Sequence, residues 1–340
     1  MYPIIKQITI VWRIAIKLLL LSVIVSSAAL ATDNMRFDRL STAQGLSQVS
    51  VNDILQDSQG FIWFATQDGL NRFDGYEFKI YRQDQDDPHS LANNWVHSLF
   101  EDHLNNLWVG TESGLLMFNR QQDNFVRYSH DPQDPTTIGS NIAQDIAEDD
   151  NGDLWIATYQ GGLNRFNRQS GNFTRYLNDP NDSTSLAENT LFNVLVDANN
   201  TVWAGLSRNG LDRFDREKQQ FDHFTHDPND RTSLSNNRVY RLYQDRQQRL
   251  WFGTRGGGLN LFNPKDQSFS HYWPNIEQRG DPRTNIIESI FQDSHNNLWV
   301  GTESEGLTRL DPATGQFSTI AHNASDPTGF HGHRVQSITE

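Results

Sequence analysis

The sequence of 340 residues contains no cysteine. The chain therefore has no disulfide framework, no thiolate nucleophile and no Cys-ligated zinc or iron–sulfur site. Cations are also scarce, because 28 Lys and Arg stand against 42 Asp and Glu and give a formal net charge of −14. Binding to a phosphate backbone needs clustered cations, so we expect no nucleic-acid partner.

Long apolar runs are also missing. Three basic residues precede the apolar run Leu18 to Val25, and the small residues Ala29-Leu30-Ala31 resemble a cleavage signal. The stretch from Leu18 to Ala31 has 14 residues, which is short of the roughly 20 that a transmembrane helix needs. We therefore predict that residues 1–31 are a secretory signal peptide, with an uncleaved anchor as the alternative. Export would place the chain in the periplasm of a Gram-negative envelope. Tethering of the exported chain to the inner membrane is an alternative that the sequence leaves open.

Aromatic residues, by contrast, are plentiful, with 9 Trp and 20 Phe. Six of the Trp residues recur at intervals of 45, 47, 48, 48 and 48 residues. A fixed period of this length predicts a repeat architecture. The six residues are Trp63, Trp108, Trp155, Trp203, Trp251 and Trp299.

Each Trp is part of a longer repeated pattern. An Asp lies six residues before it in every copy, Gly or Ala lies two residues after it, and Thr lies three residues after it except at Leu206. A Gly-Leu pair follows in all six copies. A catalytic residue is needed once, whereas a turn-forming Asp and a packed Trp are needed in every copy, so we interpret both as scaffold. The aspartates are Asp57, Asp102, Asp149, Asp197, Asp245 and Asp293.

Each repeat divides into four short strands separated by turn residues. In the first copy these are Val51 to Gln56, Phe61 to Thr66, Leu70 to Phe73 and Phe78 to Arg82. Four strands in 45 to 48 residues are typical of one blade of a β-propeller. We predict an all-β propeller of four-stranded blades, with six complete repeats and part of a seventh. The predicted blades are 51–94, 95–141, 142–189, 190–237, 238–285 and 286–333, with a partial blade at 334–340.

The two ends of the repeat region are predicted to meet. Residues 35–50 have the spacing of a fourth strand, and Val335 to Glu340 match the first strand Val51 to Gln56. We interpret 35–50 as an outer strand that closes the ring and 334–340 as the first strand of a seventh blade. An incomplete seventh blade predicts a fragment of a longer protein.

The repeat pattern resembles the two component regulator propeller repeats over roughly residues 35 to 340. The motifs that carry the resemblance are Asp149 to Thr158, Gly161 to Asn167, Phe173 to Tyr176 and Asp179 to Asn189. The resemblance implies the periplasmic sensor region of a histidine kinase, often a hybrid one, or of a diguanylate cyclase. It also implies an output domain linked through the membrane in a longer parent, with dimerisation through that parent as an open alternative.

Candidate binding residues lie on the connectors that open beside the innermost strands. An Asn lies fourteen residues before the Trp in five copies, where its amide can bind a ligand or cap its own turn. The turn between the second and third strands varies between copies, which fits a site on a repeated frame, and its arginines suit a carboxylate. The predicted ligand-binding residues are Asn94, Asn141, Asn189, Asn237, Asn285, Tyr159, Arg208, Arg255, Glu112 and Glu303.

Two functions follow from these patterns. The first is a sensory propeller that recognises a small molecule, a glycan or a protein and that has no catalytic residue, metal site or cofactor of its own. The alternative is a free-standing periplasmic propeller that binds or cleaves glycans. The gene beyond the codon for Glu340 separates them, because a transmembrane helix and an output domain are expected only for the first.

Overall fold

The computed structural model describes residues 37–275, 277, 285–320 and 329–340. The predicted signal peptide, 1–31, lies outside these residues. Over the described residues the chain forms one short 3₁₀ helix, Thr42–Gln44, and 24 β-strands. In chain order the strands are β1 (Val51–Gln56), β2 (Ile62–Thr66), β3 (Gly69–Phe73), β4 (Phe78–Tyr81), β5 (Val96–Glu101), β6 (Leu107–Thr111), β7 (Gly114–Asn119), β8 (Asn124–Tyr128), β9 (Ala143–Glu148), β10 (Leu154–Thr158), β11 (Leu163–Asn167), β12 (Asn172–Tyr176), β13 (Leu191–Val196), β14 (Val202–Leu206), β15 (Leu211–Asp215), β16 (Gln220–Phe224), β17 (Val239–Gln244), β18 (Leu250–Thr254), β19 (Leu259–Asn263), β20 (Ser268–Tyr272), β21 (Ile287–Gln292), β22 (Leu298–Thr302), β23 (Leu307–Asp311) and β24 (Gln316–Ile320).

The strands form six four-stranded sheets, and each sheet contains four consecutive strands in antiparallel order. The first strands of neighbouring sheets contact one another, from β1 and β5 through to β17 and β21. They are therefore the innermost strands of a ring, and the fourth strands lie at its rim. The prediction of an all-β propeller with six complete four-stranded blades is confirmed.

The second strand of each blade is the most buried. All five residues of β6, β10, β14 and β18 are buried. These strands have a paired strand on either side and a neighbouring blade on each face, so only short apolar runs fit there. This arrangement explains why their sequences are continuous apolar runs instead of alternating ones.

The repeat Asp closes the turn before each second strand. Oδ1 of Asp149 accepts hydrogen bonds from the backbone N–H groups of Asn151 and Asp153, at 2.9 and 3.1 Å. Its Oδ2 accepts the indole N–H of Trp155 at 2.9 Å. The Asp–Trp bond recurs in all six blades, at 2.7 to 2.9 Å. The predicted scaffold role of the repeat Asp and Trp is confirmed.

Neighbouring blades pack through aromatic side chains. The ring of Trp155 lies 5.5 Å from that of Tyr176 in its own blade and 5.5 Å from that of Phe214 in the next blade. Arginine adds an ion pair at three of these interfaces. Arg216 of the fourth blade contacts Asp149 of the third at 2.9 Å, and Arg168 and Arg120 make the equivalent contacts one and two blades earlier.

The segments 37–50 and 334–340 contact the ring without forming β-strands. The predicted closing strand contains no β-strand over its described residues, 37–50; Ser47 instead donates its backbone N–H to Asn71 at 2.9 Å. Residues 334–340 also form no strand, but they lie between the sixth and first blades. Ser289 donates its hydroxyl to the carbonyl oxygen of Val335 at 3.1 Å, and Ser337 donates its hydroxyl to Asp53 at 2.8 Å. Pairing between residues 35–50 and the C-terminal part stays a prediction.

Candidate ligand-binding site

Two kinds of connector meet on one face of the ring. The backbone N–H of Tyr159, in the turn after β10, donates to the carbonyl oxygen of Ile142, just before β9, at 3.0 Å. The same bond joins Arg255 to Arg238 at 2.9 Å. In the fourth blade the equivalent donor is Ser207 rather than Arg208, which lies one residue further along the turn. We call this face the channel mouth.

The five predicted asparagines cap the connectors of the channel mouth. The amide oxygen of each one accepts a hydrogen bond from a backbone N–H ten or eleven residues earlier in the chain, at 2.6 to 2.8 Å. The sequence allowed each Asn either to bind a ligand or to cap its own turn, and this geometry favours capping. Ligand binding by these residues stays a prediction. The five residues are Asn94, Asn141, Asn189, Asn237 and Asn285.

The predicted turn residues separate into two groups. The first group has internal contacts, because Glu112 contacts His97 at 2.9 Å and Arg255 donates to the hydroxyl of Tyr240 at 3.0 Å. Glu303 lies nearby, in the turn after β22. The second group, Tyr159 and Arg208, lines a cavity.

This cavity, which we call the mouth pocket, has a volume of about 320 Å³ and is lined by the third, fourth and fifth blades. The rings of Phe192 and Tyr240 form an aromatic wall, with centroids 4.5 Å apart. The acid in the pocket is Glu188, which accepts hydrogen bonds from the hydroxyl of Ser207 at 2.6 Å and from the backbone N–H of Arg208 at 2.8 Å. Its carboxylate therefore holds the turn that carries Arg208.

Two arginines of the mouth pocket differ from those at the blade interfaces. Among the described residues, neither the guanidinium of Arg208 nor that of Arg238 has a hydrogen-bond or ion-pair partner. Sequence reasoning missed Arg238, which lies just before an inner strand, thirteen residues ahead of the repeat Trp. The six copies carry Ser, Trp, Ile, Thr, Arg and Ile at this position, so no residue type recurs there in most copies. The proximity of Arg238 to the turn of the preceding blade is a tertiary contact.

A second cavity, of about 250 Å³, lies in the central channel. Each inner segment contributes a polar residue at one equivalent position, which in the six complete blades lies ten residues before the repeat Trp. Several of these side chains accept a backbone N–H from the next inner strand: Asp53 from Leu99 at 2.9 Å and Asn193 from Leu242 at 2.8 Å. We call this set the channel ring. Its residues are Asp53, Ser98, Asp145, Asn193, Arg241, Ser289 and Ser337.

The channel ring contains two half-buried carboxyl groups, Asp53 and Asp145, and both interact with the charge of Arg241. Burial raises the pKa of Asp145 to about 7; a backbone hydrogen bond from Val194 and the charge of Arg241 oppose this rise, while the carboxylate of Asp53 adds to it. Burial also raises the pKa of Asp53, against hydrogen bonds from Leu99 and Ser337. The repeat residue Asp149 behaves in the opposite way: its burial is outweighed by hydrogen bonds from Trp155 and Arg216, which hold its pKa below the usual value.

The described part of the chain contains no group of three or more His, Asp or Glu placed to hold a metal ion. It also contains no helix with the length and apolar character needed to cross a membrane.

The fold and its repeated Asp–Trp frame define a β-propeller of six complete four-stranded blades. Residues 45–68, 90–113, 137–160, 233–256 and 280–304 match the family model of the two component regulator propeller. Five stretches of this chain are therefore similar to the two component regulator propeller repeats. Each match runs from the end of a connector through the second strand, so the five matches cover residues that build the channel mouth in the first, second, third, fifth and sixth blades.

Similar proteins share this fold. The extracellular domain of a B. thetaiotaomicron protein, described as a hybrid two component system, is 27% identical with a TM-score of 0.78, covering 90% of this chain and 39% of that chain. Histidine kinase P4 of Formosa agariphila is 43% identical over 74 residues, which is 22% of this chain and 5% of that protein. Virginiamycin B lyase of Staphylococcus aureus is 15% identical with a TM-score of 0.59, covering 81% of this chain and 85% of the enzyme, and shows the fold alone.

Proposed function

We propose that this chain is the extracytoplasmic recognition domain of a membrane-bound two-component signalling protein. The observation that carries the proposal is the 27% identity, over 90% of the chain, to the extracellular domain of a hybrid two component system. The shorter match to a histidine kinase supports the same assignment. The chain spans only 39% and 5% of these two proteins, so the output activity, whether kinase or cyclase, belongs to the proposal.

In this proposal the propeller binds and does not catalyse. Its Asp–Trp pairs are occupied in the scaffold, and the mouth pocket offers an aromatic wall and guanidinium groups. A ligand bound in the mouth pocket would contact three blades at once. It would therefore favour one arrangement of those blades, and a ligand shifts an equilibrium only through such differential contacts.

Export is the first part to test. The full chain is fused after Glu340 to β-lactamase, which confers ampicillin resistance only outside the cytoplasm, and is produced in a Gram-negative host. We expect resistance, and we expect a fusion that lacks residues 2–31 to lose it while its amount in the cell is unchanged. Resistance that does not depend on residues 2–31, or a stable full-length fusion that gives none, would contradict the proposal.

Signalling is the second part. The gene is sequenced beyond the codon for Glu340, and its whole product is assayed in membrane vesicles for autophosphorylation or for cyclic-di-GMP synthesis. We expect the reading frame to continue into a transmembrane helix and an output domain. A stop codon at that point, or turnover of a polysaccharide by the purified chain, would instead favour the free-standing glycan-cleaving propeller.

A further inference from the structure

We infer that the mouth pocket binds a ligand that carries a carboxylate on a ring, with Arg208 and Arg238 holding the carboxylate and the aromatic wall holding the ring. This inference rests on the proposed recognition function and names the chemistry that the site would recognise. The first observation that supports the inference is the difference in charge between the whole chain and this pocket. The chain as a whole is strongly acidic, with a formal net charge of −14, yet this pocket presents two guanidinium groups without an acid partner among the described residues.

Arg208 and Arg238 differ from four other arginines of the ring in that their guanidinium groups have no partner among the described residues. Arg120, Arg168 and Arg216 each reach a buried Asp of the preceding blade and are part of the scaffold. Arg255, close to the pocket, is held by the hydroxyl of Tyr240 and lies over its ring, 5.4 Å from the centroid. Arg208 and Arg238 have no such role, so their five N–H donors each remain available to a ligand.

The two guanidinium groups come from different blades. Arg208 lies in the turn after β14 of the fourth blade, and Arg238 immediately precedes β17 of the fifth. The single carboxylate in the pocket, Glu188, balances only one of the two positive charges, and its oxygens already accept hydrogen bonds from the Ser207–Arg208 turn. A carboxylate between the two arginines would gain charge-assisted hydrogen bonds from both, and a planar carboxylate matches the guanidinium fork.

The rest of the pocket is shaped for a ring. Phe192 and Tyr240 are the second residues of β13 and β17 and present their rings edge to face, at 65°. Tyr159 adds a third aromatic side chain, with 39% of its surface exposed. A volume of about 320 Å³ is at the small end of ligand sites, which suits one or two rings.

Sugars that carry a carboxylate and aromatic acids share this chemistry. The test therefore measures binding to the full chain by titration calorimetry with two acidic probes, glucuronate and 4-hydroxybenzoate, and with their uncharged counterparts, glucose and 4-hydroxybenzamide. We expect at least one acid to bind and its uncharged counterpart to bind at least about tenfold more weakly. The acid that binds more tightly identifies the source of the carboxylate.

Variants assign the binding to the pocket. Arg208→Ala and Arg238→Ala should each weaken the acid by at least about tenfold, and Arg208→Lys should restore part of the loss because a point charge replaces the fork. Arg231→Ala is the matched control, since Arg231 is also exposed and without a partner among the described residues but lies outside this pocket. Its affinity should equal that of the wild type. Circular dichroism confirms that each variant is folded.

The outcomes separate this inference from the proposed function. Equal binding of acid and uncharged probe, unchanged binding by both alanine variants, or no binding of either acid to the folded chain overturns the inference and leaves the export and signalling tests untouched. Binding that depends on both arginines in a chain that is not exported would support the inference and overturn the proposed function.

Discussion

The indole N–H of Trp155 and the carboxylate of Asp149 form a buried hydrogen bond of 2.9 Å. The same carboxylate oxygen contacts the guanidinium of Arg216 from the next blade, also at 2.9 Å. One side chain thus joins the turn of its own blade, the aromatic core and the neighbouring blade.

Replacing this carboxylate should destabilise the ring strongly. Asp149→Ala leaves the indole N–H and the guanidinium without their buried acceptor, so we expect a loss of about 3 kcal/mol in the free energy of unfolding. Asp150→Ala is the control, because the adjacent side chain is exposed, and it should change stability by less than about 0.5 kcal/mol. Urea unfolding followed by Trp fluorescence measures both. Equal effects of the two substitutions would show that the bond contributes nothing.

Two glycines with the same backbone angle should differ in their tolerance of a side chain. Gly162 and Gly171 both have φ of +72°. A Cβ at Gly162 would lie 2.2 Å from the carbonyl oxygen of Tyr176, whereas one at Gly171 would meet no atom within 4 Å. Gly171→Ala should therefore cost about 1 to 2 kcal/mol, for the left-handed backbone alone, and Gly162→Ala should cost at least about 2 kcal/mol more. Similar unfolding midpoints for the two variants would contradict the close approach at the Gly-Leu pair.

The half-buried Asp145 should make the protein less stable as the pH rises towards neutrality. Its pKa is raised in the folded state to about 7, from 3.8, so the folded chain binds more protons than the unfolded chain between these values. The free energy of unfolding should fall across this range by up to about 1.4 kcal/mol per pH unit from this group. Asp145→Asn keeps the hydrogen-bond acceptor and removes the titration. The difference in stability between wild type and variant should therefore move in favour of the variant from pH 5 to pH 8, and a constant difference would contradict the prediction.

The channel ring offers a matched pair of serines. Ser98 and Ser289 occupy the same position of β5 and β21, each opposite a Gly of the second strand. The buried hydroxyl of Ser98 has no hydrogen-bond partner, whereas that of Ser289 donates to Val335 at 3.1 Å. Ser98→Ala should be neutral or slightly stabilising, and Ser289→Ala should lose about 1 kcal/mol. The urea midpoints should separate in that direction with an unchanged slope.

The features that could be predicted from the sequence are those that recur in the repeats. The first strand of the ring was predicted as Val51 to Gln56 and is found there, and the Asp149–Trp155 unit was identified because both residues recur in every copy. Of the mouth pocket, Tyr159 and Arg208 were predicted from the variable turn. Arg238 was not, because it belongs to another blade and becomes a neighbour of Arg208 only when the ring forms.

The channel ring was missed for a related reason. The channel ring residues of the six blades occupy one fixed position relative to the repeat Trp, but their chemistry changes from acid at Asp53 to hydroxyl at Ser98 and cation at Arg241. A search for recurring residues passes over such a position. The channel ring could have been found from a position that lies at a fixed distance from the repeat Trp while its residue type changes between copies. The same signal identified the turns of the channel mouth.

The contact between Ser337 and Asp53 joins residues 284 apart in the sequence, whereas the equivalent contacts between consecutive blades join residues 46 to 49 apart. Closing the longer loop costs about 1.5 kcal/mol more in chain entropy. We therefore expect the blade-to-blade contacts to form before this one during folding, and we expect this contact to open first in the folded protein. The amide of Ile54, which donates to Ser337 at 3.3 Å and to the neighbouring Asp53 at 2.9 Å, should accordingly exchange with solvent faster than that of Leu99, which donates to Asp53 at 2.9 Å.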